Sequence, residues 1–208
     1  MDEALTPYQL RYCPAAYLHP TRVPPALQAL ARAMPGWRGM GSVNAWLLHE
    51  LDLPLDYSLP DQLGGLALFP TQQLQGTLAM LGALLHARAM RQAIDACTLR
   101  RVHAAIGAQG HRYCLERHGL LIGAWPQAWQ LPLPPGDLHS YLPALGLAFL
   151  AQAIGDMDPG FTRRLQLRLE PAPELAACPV AEEQRPLARL LCLKIARHTS
   201  PTCLHLLD

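Results

Sequence analysis

Lysine is almost missing from this sequence of 208 residues, because Lys194 stands alone against sixteen arginines. The seventeen basic residues are balanced by sixteen acidic ones, so the formal net charge is only +1. Nucleic-acid-binding domains usually carry a basic excess or a basic face, and here the arginines are scattered along the chain. The composition therefore argues against nucleic-acid binding. GC-rich coding is the favoured explanation for the arginine excess. The alternative is a surface for protein partners, since arginine forks onto carboxylates and stacks on aromatic rings.

Long apolar runs are also absent. The longest, Tyr141 to Ile154, has fourteen residues and is interrupted by Pro143 and Gly146, whereas a membrane-spanning helix needs about twenty. The opening Met-Asp-Glu-Ala is acidic and lacks the apolar stretch of a secretory signal. We therefore expect a cytoplasmic protein that is soluble by itself and reaches a membrane only through a partner.

Motifs for catalysis or phosphate binding are missing as well. The six cysteines include no Cys-x-x-Cys pair, and in a reducing cytosol we expect most of them to be small buried hydrophobic residues. Cys13 precedes Pro14, which should hold it extended instead of at an activating helix N-terminus. The glycines at positions 36, 39 and 41 lack both a preceding strand and the Lys-Ser/Thr of a phosphate loop. These absences predict a protein that is not an enzyme and needs no cofactor.

Proline is abundant, and its twenty residues punctuate a series of short and medium helices. The clearest amphipathic pattern follows Thr71, where Leu74, Leu78, Leu81 and Leu85 fall on one helical face. The other predicted helices are Ala26 to Met34, Val43 to Leu51 after a Ser42 cap, Leu99 to Ile106, His111 to His118, a segment capped by Asp137 and running through Ile154, and Glu182 to His198.

One short segment gives a strand signal. Residues 165–169, Leu-Gln-Leu-Arg-Leu, alternate strictly between apolar and polar side chains. No partner strand is evident, and a lone strand is not stable. The sequence therefore predicts a mainly α protein, a single compact helical domain over residues 1–208 with Pro-rich connections and one minor β element near Leu165–Leu169.

Histidine and cysteine fall at metal-ligand spacing in one place. His111, Cys114 and His118 stand at i, i+3 and i+7 and would share one helical face. Imidazole and thiolate suit zinc, but a structural zinc site needs a fourth ligand and a catalytic site draws ligands from more than one element. No second pair lies nearby in the sequence. We expect no metal here and keep a zinc site as an alternative.

Three of the four tryptophans lie in segments rich in proline and glycine. Trp37, Trp125 and Trp129 either pin irregular chain to a core or protrude as interface anchors. Trp46 follows a helical pattern and should be in the core. Core packing is the favoured interpretation for each of the four.

Three sequence blocks carry a family resemblance. They are QLRYCPAAYLHP at residues 9–20, LLIGAWPQAWQLPLP at residues 120–134, and a tail with EQRPLA at 183–188 and TSPTCLHL at 199–206. In these blocks the sequence resembles the K-type accessory proteins of type III secretion systems, the YscK/PscK/SctK family, and above all the Pseudomonas and Yersinia members. The blocks lie in family order and span nearly the whole chain.

The resemblance implies a non-enzymatic adaptor of the type III secretion injectisome. Members of the family link the cytoplasmic domain of the inner-membrane-ring D component to the Q component, the pod protein of the cytoplasmic sorting platform. Through Q they connect indirectly to the L stator and the N ATPase, and they are needed for platform assembly and protein secretion. The implied place is the cytoplasmic side of the inner-membrane base of the injectisome. None of the blocks encodes a known chemistry, so the resemblance fixes no contact residue.

Exposed residues of the Pro-rich connections are the candidate partner contacts: Tyr17, His19, Arg22, Trp37, Arg38, Trp125 and Trp129. Tyr17 and His19 either seal the N-terminal segment onto the helical core, which is the favoured interpretation, or form part of a docking edge. Two other functions stay open at this point. One is a small zinc-binding enzyme or regulator that uses His111, Cys114 and His118. The other is a secretion chaperone, which predicts a homodimer with an acidic surface and fits the neutral net charge poorly.

Overall fold

The computed structural model describes residues 3–171, 175–176 and 178–207. Within these ranges every regular element is helical and no strand is present, so the mainly α prediction is confirmed. Ten α-helices follow one another in the described chain: α1 Pro7–Tyr12, α2 Pro14–Tyr17, α3 Pro25–Ala33, α4 Gly41–Glu50, α5 Thr71–Leu85, α6 Ala87–Gln92, α7 Ala96–Leu121, α8 Leu138–Ile154, α9 Pro159–Leu167 and α10 Arg185–Thr199. Short 3₁₀ turns lie at Pro20–Arg22, Trp37–Gly39, Leu63–Leu68, Gln127–Trp129, Glu182–Gln184 and Pro201–Leu206.

Proline or aspartate stands at the start of most of the α-helices. Proline occupies the first turn of α1, α2, α3, α9 and α10, where its missing N–H is no loss. Asp137 caps α8 by accepting from the backbone N–H groups of His139 and Ser140, as predicted. The predicted Ser42 cap is wrong, because α4 starts two residues before the predicted Val43, at Gly41, and no side chain caps it.

The opening stretch is more helical than expected. Cys13 was predicted to be held extended by Pro14, but Pro14 is instead the first residue of α2 and Cys13 is its N-cap. The ring of proline tolerates this position because the residue before it stays outside the helical region, and Cys13 has φ −122° and ψ 61°. Cys13 therefore separates two short helices.

The predicted β element near Leu165–Leu169 is wrong, because this segment forms the end of α9 and the turn after it. Asp158 caps the helix and Pro159 starts it. The strand interpretation assumed that Arg168 faces solvent, whereas it is 1% exposed. Phe161, Arg164, Leu165 and Arg168 are all buried, which is the i, i+3, i+4, i+7 spacing of a helix.

α7 contains the break that glycine predicts. The sequence suggested separate helices before and after Gly107, and the structure has one run in which Gly107 alone leaves helical geometry, with φ +70°. This left-handed conformation carries little cost for glycine and a large one for other residues. The break changes the direction of the helix between Leu99–Ile106 and His111–His118.

Backbone packing groups the chain into two compact units. The first unit comprises Met1–Gln72, Met157–Pro171 and Leu206–Asp208, and the second comprises Gln73–Asp156 and Ala172–His205. In the first unit α2, α3 and α4 enclose a core that includes Leu18, Trp37, Val43 and Leu47. Trp46 packs against that core from a half-buried position. The prediction of one domain over residues 1–208 stays a prediction.

In the second unit α8 packs against α7 and α10, and α5 crosses α8 at backbone distance. A side chain at Gly82 of α5 would collide with the Leu142 carbonyl of α8, and one at Gly146 of α8 would collide with the Leu78 carbonyl of α5. Only glycine permits two helices to approach this closely. The two glycines therefore set the centre of the second unit.

Candidate interaction surfaces

Tyr17 lies inside the first unit and is only 3% exposed. Its hydroxyl donates to the Leu10 carbonyl at 3.1 Å, so the polar end of the ring is satisfied within the protein. Burial raises the pKa of Tyr17, and the nearby Arg164 guanidinium opposes this only partly. Of the two alternatives for the opening stretch, these contacts support sealing of Tyr17 onto the core.

His19 and Arg22 are half-buried and tie the turn after α2 in place. The Nδ1 atom of His19 accepts from the Thr21 backbone N–H at 3.3 Å and lies 2.8 Å from the Thr21 hydroxyl. Burial lowers the pKa of His19. Arg22 donates from Nε to the Leu169 carbonyl at 2.6 Å and from Nη2 to the Glu170 carbonyl at 3.2 Å. Both side chains keep part of their surface exposed while their polar atoms fix the local backbone.

Trp37 and Arg38 form a stacked pair in the first unit. The Trp37 ring is 5% exposed, and the Arg38 guanidinium carbon lies 4.8 Å from its centroid. The Nη1 atom of Arg38 donates to the Leu18 carbonyl at 2.9 Å and also to the Ala15 carbonyl. The pair therefore secures the end of α2 on the core, and Arg38 stays half-buried.

Two other arginines are buried completely, which the sequence analysis did not predict. Arg164 donates to the carbonyls of Leu10 at 3.0 Å, Gly160 at 3.0 Å and Arg11 at 3.1 Å. Its guanidinium carbon also lies 4.1 Å from the centroid of the Tyr57 ring. A buried charge is costly unless hydrogen bonds replace its lost hydration, and backbone carbonyls supply those bonds here.

Arg168, one helical turn after Arg164, is also a buried guanidinium that donates to backbone carbonyls. It donates to the Ala67 carbonyl at 2.6 Å, the Phe69 carbonyl at 2.5 Å and the Thr71 hydroxyl at 3.3 Å. These acceptors precede or begin α5, so Arg168 fixes the chain as it enters that helix. Together Arg164 and Arg168 bind backbone on two sides of α9.

Trp125 and Trp129 organise the connection between α7 and α8 in the second unit. Trp129 is 0% exposed, donates from Nε1 to the Pro179 carbonyl at 3.2 Å and meets Phe149 edge-on at 5.0 Å. Trp125 is half-buried, stacks on His118 with ring centroids 4.0 Å apart and donates to the His118 carbonyl at 2.7 Å. Trp129 is a core residue, and Trp125 keeps a partly exposed face.

His111, Cys114 and His118 contact different neighbours in the structure. Cys114 is buried with its sulfur 3.7 Å from that of Met80, and burial raises the pKa of its thiol to about 12, which disfavours the thiolate that zinc needs. His111 shares a hydrogen bond of 3.1 Å with His103, while the His118 ring stacks on Trp125. Among residues 3–171, 175–176 and 178–207, no three His, Cys, Asp or Glu side chains converge as a metal would require.

No helix in the described part of the chain combines the length and the apolar character of a membrane span. The fourteen-residue apolar run noted in the sequence lies in α8, most of whose apolar side chains are buried inside the second unit. Its hydrophobicity is used for internal packing.

Comparison with known proteins decides the family. The sequence model of the family described as "YOP proteins translocation protein K (YscK)" matches residues 4–208. The chain belongs to the YscK family. Proteins named "Yop proteins translocation protein K" from Yersinia pseudotuberculosis serotype I (strain IP32953) and from Yersinia enterocolitica are each 39% identical over 206 residues, which covers 99% of this chain and 99% of theirs.

A solved structure is similar over the same length. The cytoplasmic domain of the type III secretion sorting platform protein PscK from P. aeruginosa superimposes with a TM-score of 0.80 at 45% identity, covering 98% of this chain and 99% of that one. The predicted resemblance to the YscK/PscK/SctK family is thus confirmed, with relatives in both genera that the sequence blocks indicated.

The structure of this YscK-family chain also has features that the sequence analysis passed over. Tyr8 and Tyr12 of α1 are 67% and 39% exposed, with ring centroids 4.9 Å apart. In the second unit, a groove of about 870 Å³ carries Arg112, Arg117 and Lys194. The i, i+4 spacing of the tyrosines was a readable signal. The groove had no local sequence signal, because its walls come from helices that are far apart in sequence.

Proposed function

We propose that this chain is a non-enzymatic adaptor of the type III secretion injectisome. In this role it joins the cytoplasmic domain of the inner-membrane-ring D component to the Q component of the sorting platform, and through Q it connects indirectly to the L stator and the N ATPase. The observation that carries the proposal is the match to the YscK family over residues 4–208. The similarity to PscK, described as a sorting platform protein, supports it over nearly the full length.

The contacts of the reactive side chains support an adaptor more than an enzyme. The Cys114 thiol is buried against Met80, and the imidazole of His86 is buried as well. Burial lowers the pKa of His86 to about 4, which is far from the range in which a histidine exchanges protons at neutral pH. We place the protein in the cytoplasm, held at the inner-membrane base of the injectisome through the D component.

The predicted contact set needs narrowing. Tyr17, Trp37 and Trp129 are 3%, 5% and 0% exposed. They therefore support the side chains that lie at the surface, and we remove them from the proposed partner contacts. We keep the partly exposed side chains as proposed contacts: His19, Arg22, Arg38 and Trp125. Tyr8 and Tyr12 join them because they are the most exposed aromatic pair of the first unit.

Binding of each partner separately tests this proposal. The purified full chain is immobilised and exposed in turn to the D cytoplasmic domain and to the Q component, with an unrelated helical protein as the immobilised control. We expect retention of each partner by the chain and by no control. Retention of neither partner under conditions in which all three proteins are folded would overturn the adaptor assignment.

A further inference from the structure

We propose that the second unit carries a docking groove for an acidic amphipathic helix of a partner protein. The groove lies among α5, α7 and α10 and has a volume of about 870 Å³. The proposed function enters this inference at one point: the helix would belong to a component of the sorting platform. Its evidence is the shape, the lining and the charge of the groove.

The floor of the groove is made of small and apolar residues. Gly76 and Ala79 of α5 line the groove together with Ala105 and Ile106 of α7, and a side chain added at Gly76 would meet no atom within 4 Å. Small residues let another helix approach closely, as Gly82 and Gly146 do elsewhere in this unit. A helix about 10 Å in diameter and two turns, about 11 Å, in length occupies roughly 850 Å³. The groove therefore has the volume of about two helical turns.

An exposed leucine stands at the edge of this floor. Leu120, near the end of α7, is 71% exposed and lines the groove beside Leu121. A large apolar side chain with this exposure gains most when a partner covers it. Leu120 is therefore the expected apolar anchor for the apolar face of the incoming helix.

The rim of the groove is basic. Arg112, Arg117 and Lys194 line it together with a single carboxylate, Glu116, so these four side chains contribute a net charge of +2. Within the described residues neither Arg112 nor Arg117 forms an ion pair, whereas Arg163 and Arg185 elsewhere do. Charged groups left unpaired around an apolar floor are complementary to acidic residues flanking an apolar stripe.

Lys194 and His198 of α10 connect the walls of the groove. Lys194 of α10 donates to the Leu121 carbonyl at 2.7 Å, at the C-terminal end of α7. His198 of α10 stacks on Tyr113 of α7 with ring centroids 3.8 Å apart. Burial and the Arg117 charge both lower the pKa of His198, which disfavours its charged form. Arg112 and Arg117 are therefore the rim side chains whose charge we expect a partner to contact.

The test compares two double variants of the full chain. R112E/R117E reverses the rim charge, and R100E/R189E reverses two exposed arginines of the same unit that do not line the groove. Each is measured against the D cytoplasmic domain, the Q component and a labelled helical peptide of about fourteen residues with leucines on one face and glutamates on the other. A peptide with lysine in place of glutamate is the matched probe. Thermal melts confirm that both variants are folded.

We expect R112E/R117E to weaken binding of one component, or of the acidic peptide, by at least about tenfold, while R100E/R189E and the wild type bind alike. The interaction should also weaken as NaCl rises from about 50 to about 300 mM, because rim charges are screened. A Leu120→Ser variant should lose affinity for the same ligand, and the lysine peptide should not bind.

The outcomes separate the two proposals. If both components bind and R112E/R117E binds every ligand as the wild type does, the groove inference is wrong and the adaptor stands. If neither component binds but the acidic peptide does so in a rim-dependent way, the adaptor is wrong and the groove stands. If the wild type binds no component and no peptide, both are wrong.

Discussion

The first unit keeps guanidinium groups inside, where Arg164 and Arg168 are 0% and 1% exposed, whereas each arginine of the second unit is half-buried or exposed. The first unit has seven basic and nine acidic residues, a net charge of −2, and the second has ten and seven, a net charge of +3. Since two of the cations in the first unit are buried, its surface is more acidic than its sequence indicates. The two units of a chain with a net charge of +1 thus have sequence charges of opposite sign.

Arginine content alone therefore does not measure surface charge. In the first unit arginine replaces water as the hydrogen-bond partner of backbone carbonyls, because its donors are spread over a planar fork. In the second unit Arg112 and Arg117 stay at a groove rim, where their charge is available to a partner. Arginine therefore binds backbone carbonyls in the first unit and lines the proposed docking groove in the second.

The largest expected effect comes from removing a buried guanidinium. Arg164→Met keeps the apolar stem but leaves the carbonyls of Leu10, Gly160 and Arg11 without their donor. We expect a loss of about 3 to 5 kcal/mol in the free energy of unfolding, measured by urea denaturation. The control is Arg189→Met at an exposed site of the second unit, which should change stability by less than about 0.5 kcal/mol. Equal losses in the two variants would erase the contrast between the units.

The second unit should instead be most sensitive where its helices touch. Gly82→Ala places a methyl group against the Leu142 carbonyl, and we expect destabilisation of about 3 kcal/mol. Gly76→Ala on the same helix meets nothing within 4 Å and should stabilise the protein slightly, by up to about 1 kcal/mol, because alanine favours the helix. Thermal unfolding of both variants distinguishes them. A harmless Gly82→Ala would show that α5 and α8 do not pack at backbone distance.

A pH dependence should come from His86 in the second unit. Its imidazole is buried and donates to the Leu131 carbonyl at 3.3 Å, and burial lowers its pKa from 6.5 to about 4. Below pH 6.5 the unfolded chain gains a proton that the folded chain does not bind. Stability is therefore full above pH 6.5 and falls as the pH drops towards 4. Between pH 7 and pH 5 we expect this histidine to account for a loss of about 2 kcal/mol.

Urea denaturation at pH 7 and pH 5 measures this loss, with His86→Asn as the comparison because its amide can replace the Nδ1 donor. The variant should show a pH dependence smaller by the same amount. An unchanged dependence would mean that His86 binds a proton in the folded state.

The smallest effect concerns a half-buried clamp of the first unit. Arg38→Ala removes the donors to the carbonyls of Ala15 and Leu18 and the stack on Trp37, and we expect a loss of about 1 to 1.5 kcal/mol. Arg32→Ala, at an exposed position of α3, is the matched control and should be neutral. Pull-down with the D and Q components runs in parallel. Unchanged binding of both by a folded Arg38→Ala variant would remove Arg38 from the proposed contacts.

Local sequence signals predicted the elements whose ends are set by neighbouring residues. Asp137 starts α8, which runs through Ile154 as predicted, because a capping side chain acts within one helical turn. α9 also starts with a local signal, Asp158 and Pro159, but its apolar and polar pattern was misread because two of its buried side chains are arginines with distant acceptors. Arg168 binds the Ala67 carbonyl, 101 residues away in sequence. No local pattern distinguishes a buried arginine with such partners from an exposed one.

The candidate surfaces show the same limit. Core packing was rightly favoured for Trp37 and Trp129, and so was sealing of Tyr17, but the contacts that hold Tyr17 and Trp37, the Leu10 carbonyl and the Arg38 stack, are visible only in the structure. The groove requires the glycine of α5, the arginines of α7 and the lysine of α10 in one place. Family blocks predicted the protein class well, because sequence similarity does not depend on knowing these contacts.

The adaptor role is the central claim, and the mass of the assembled complex tests it most directly. The D cytoplasmic domain and the Q component are mixed with and without this chain and analysed by size-exclusion chromatography with light scattering. We predict one species containing all three proteins when the chain is present, and separate D and Q peaks when it is absent. Co-elution of D and Q in the absence of the chain would contradict the adaptor role. Binding of the chain to D that excludes Q, or to Q that excludes D, would contradict it as well.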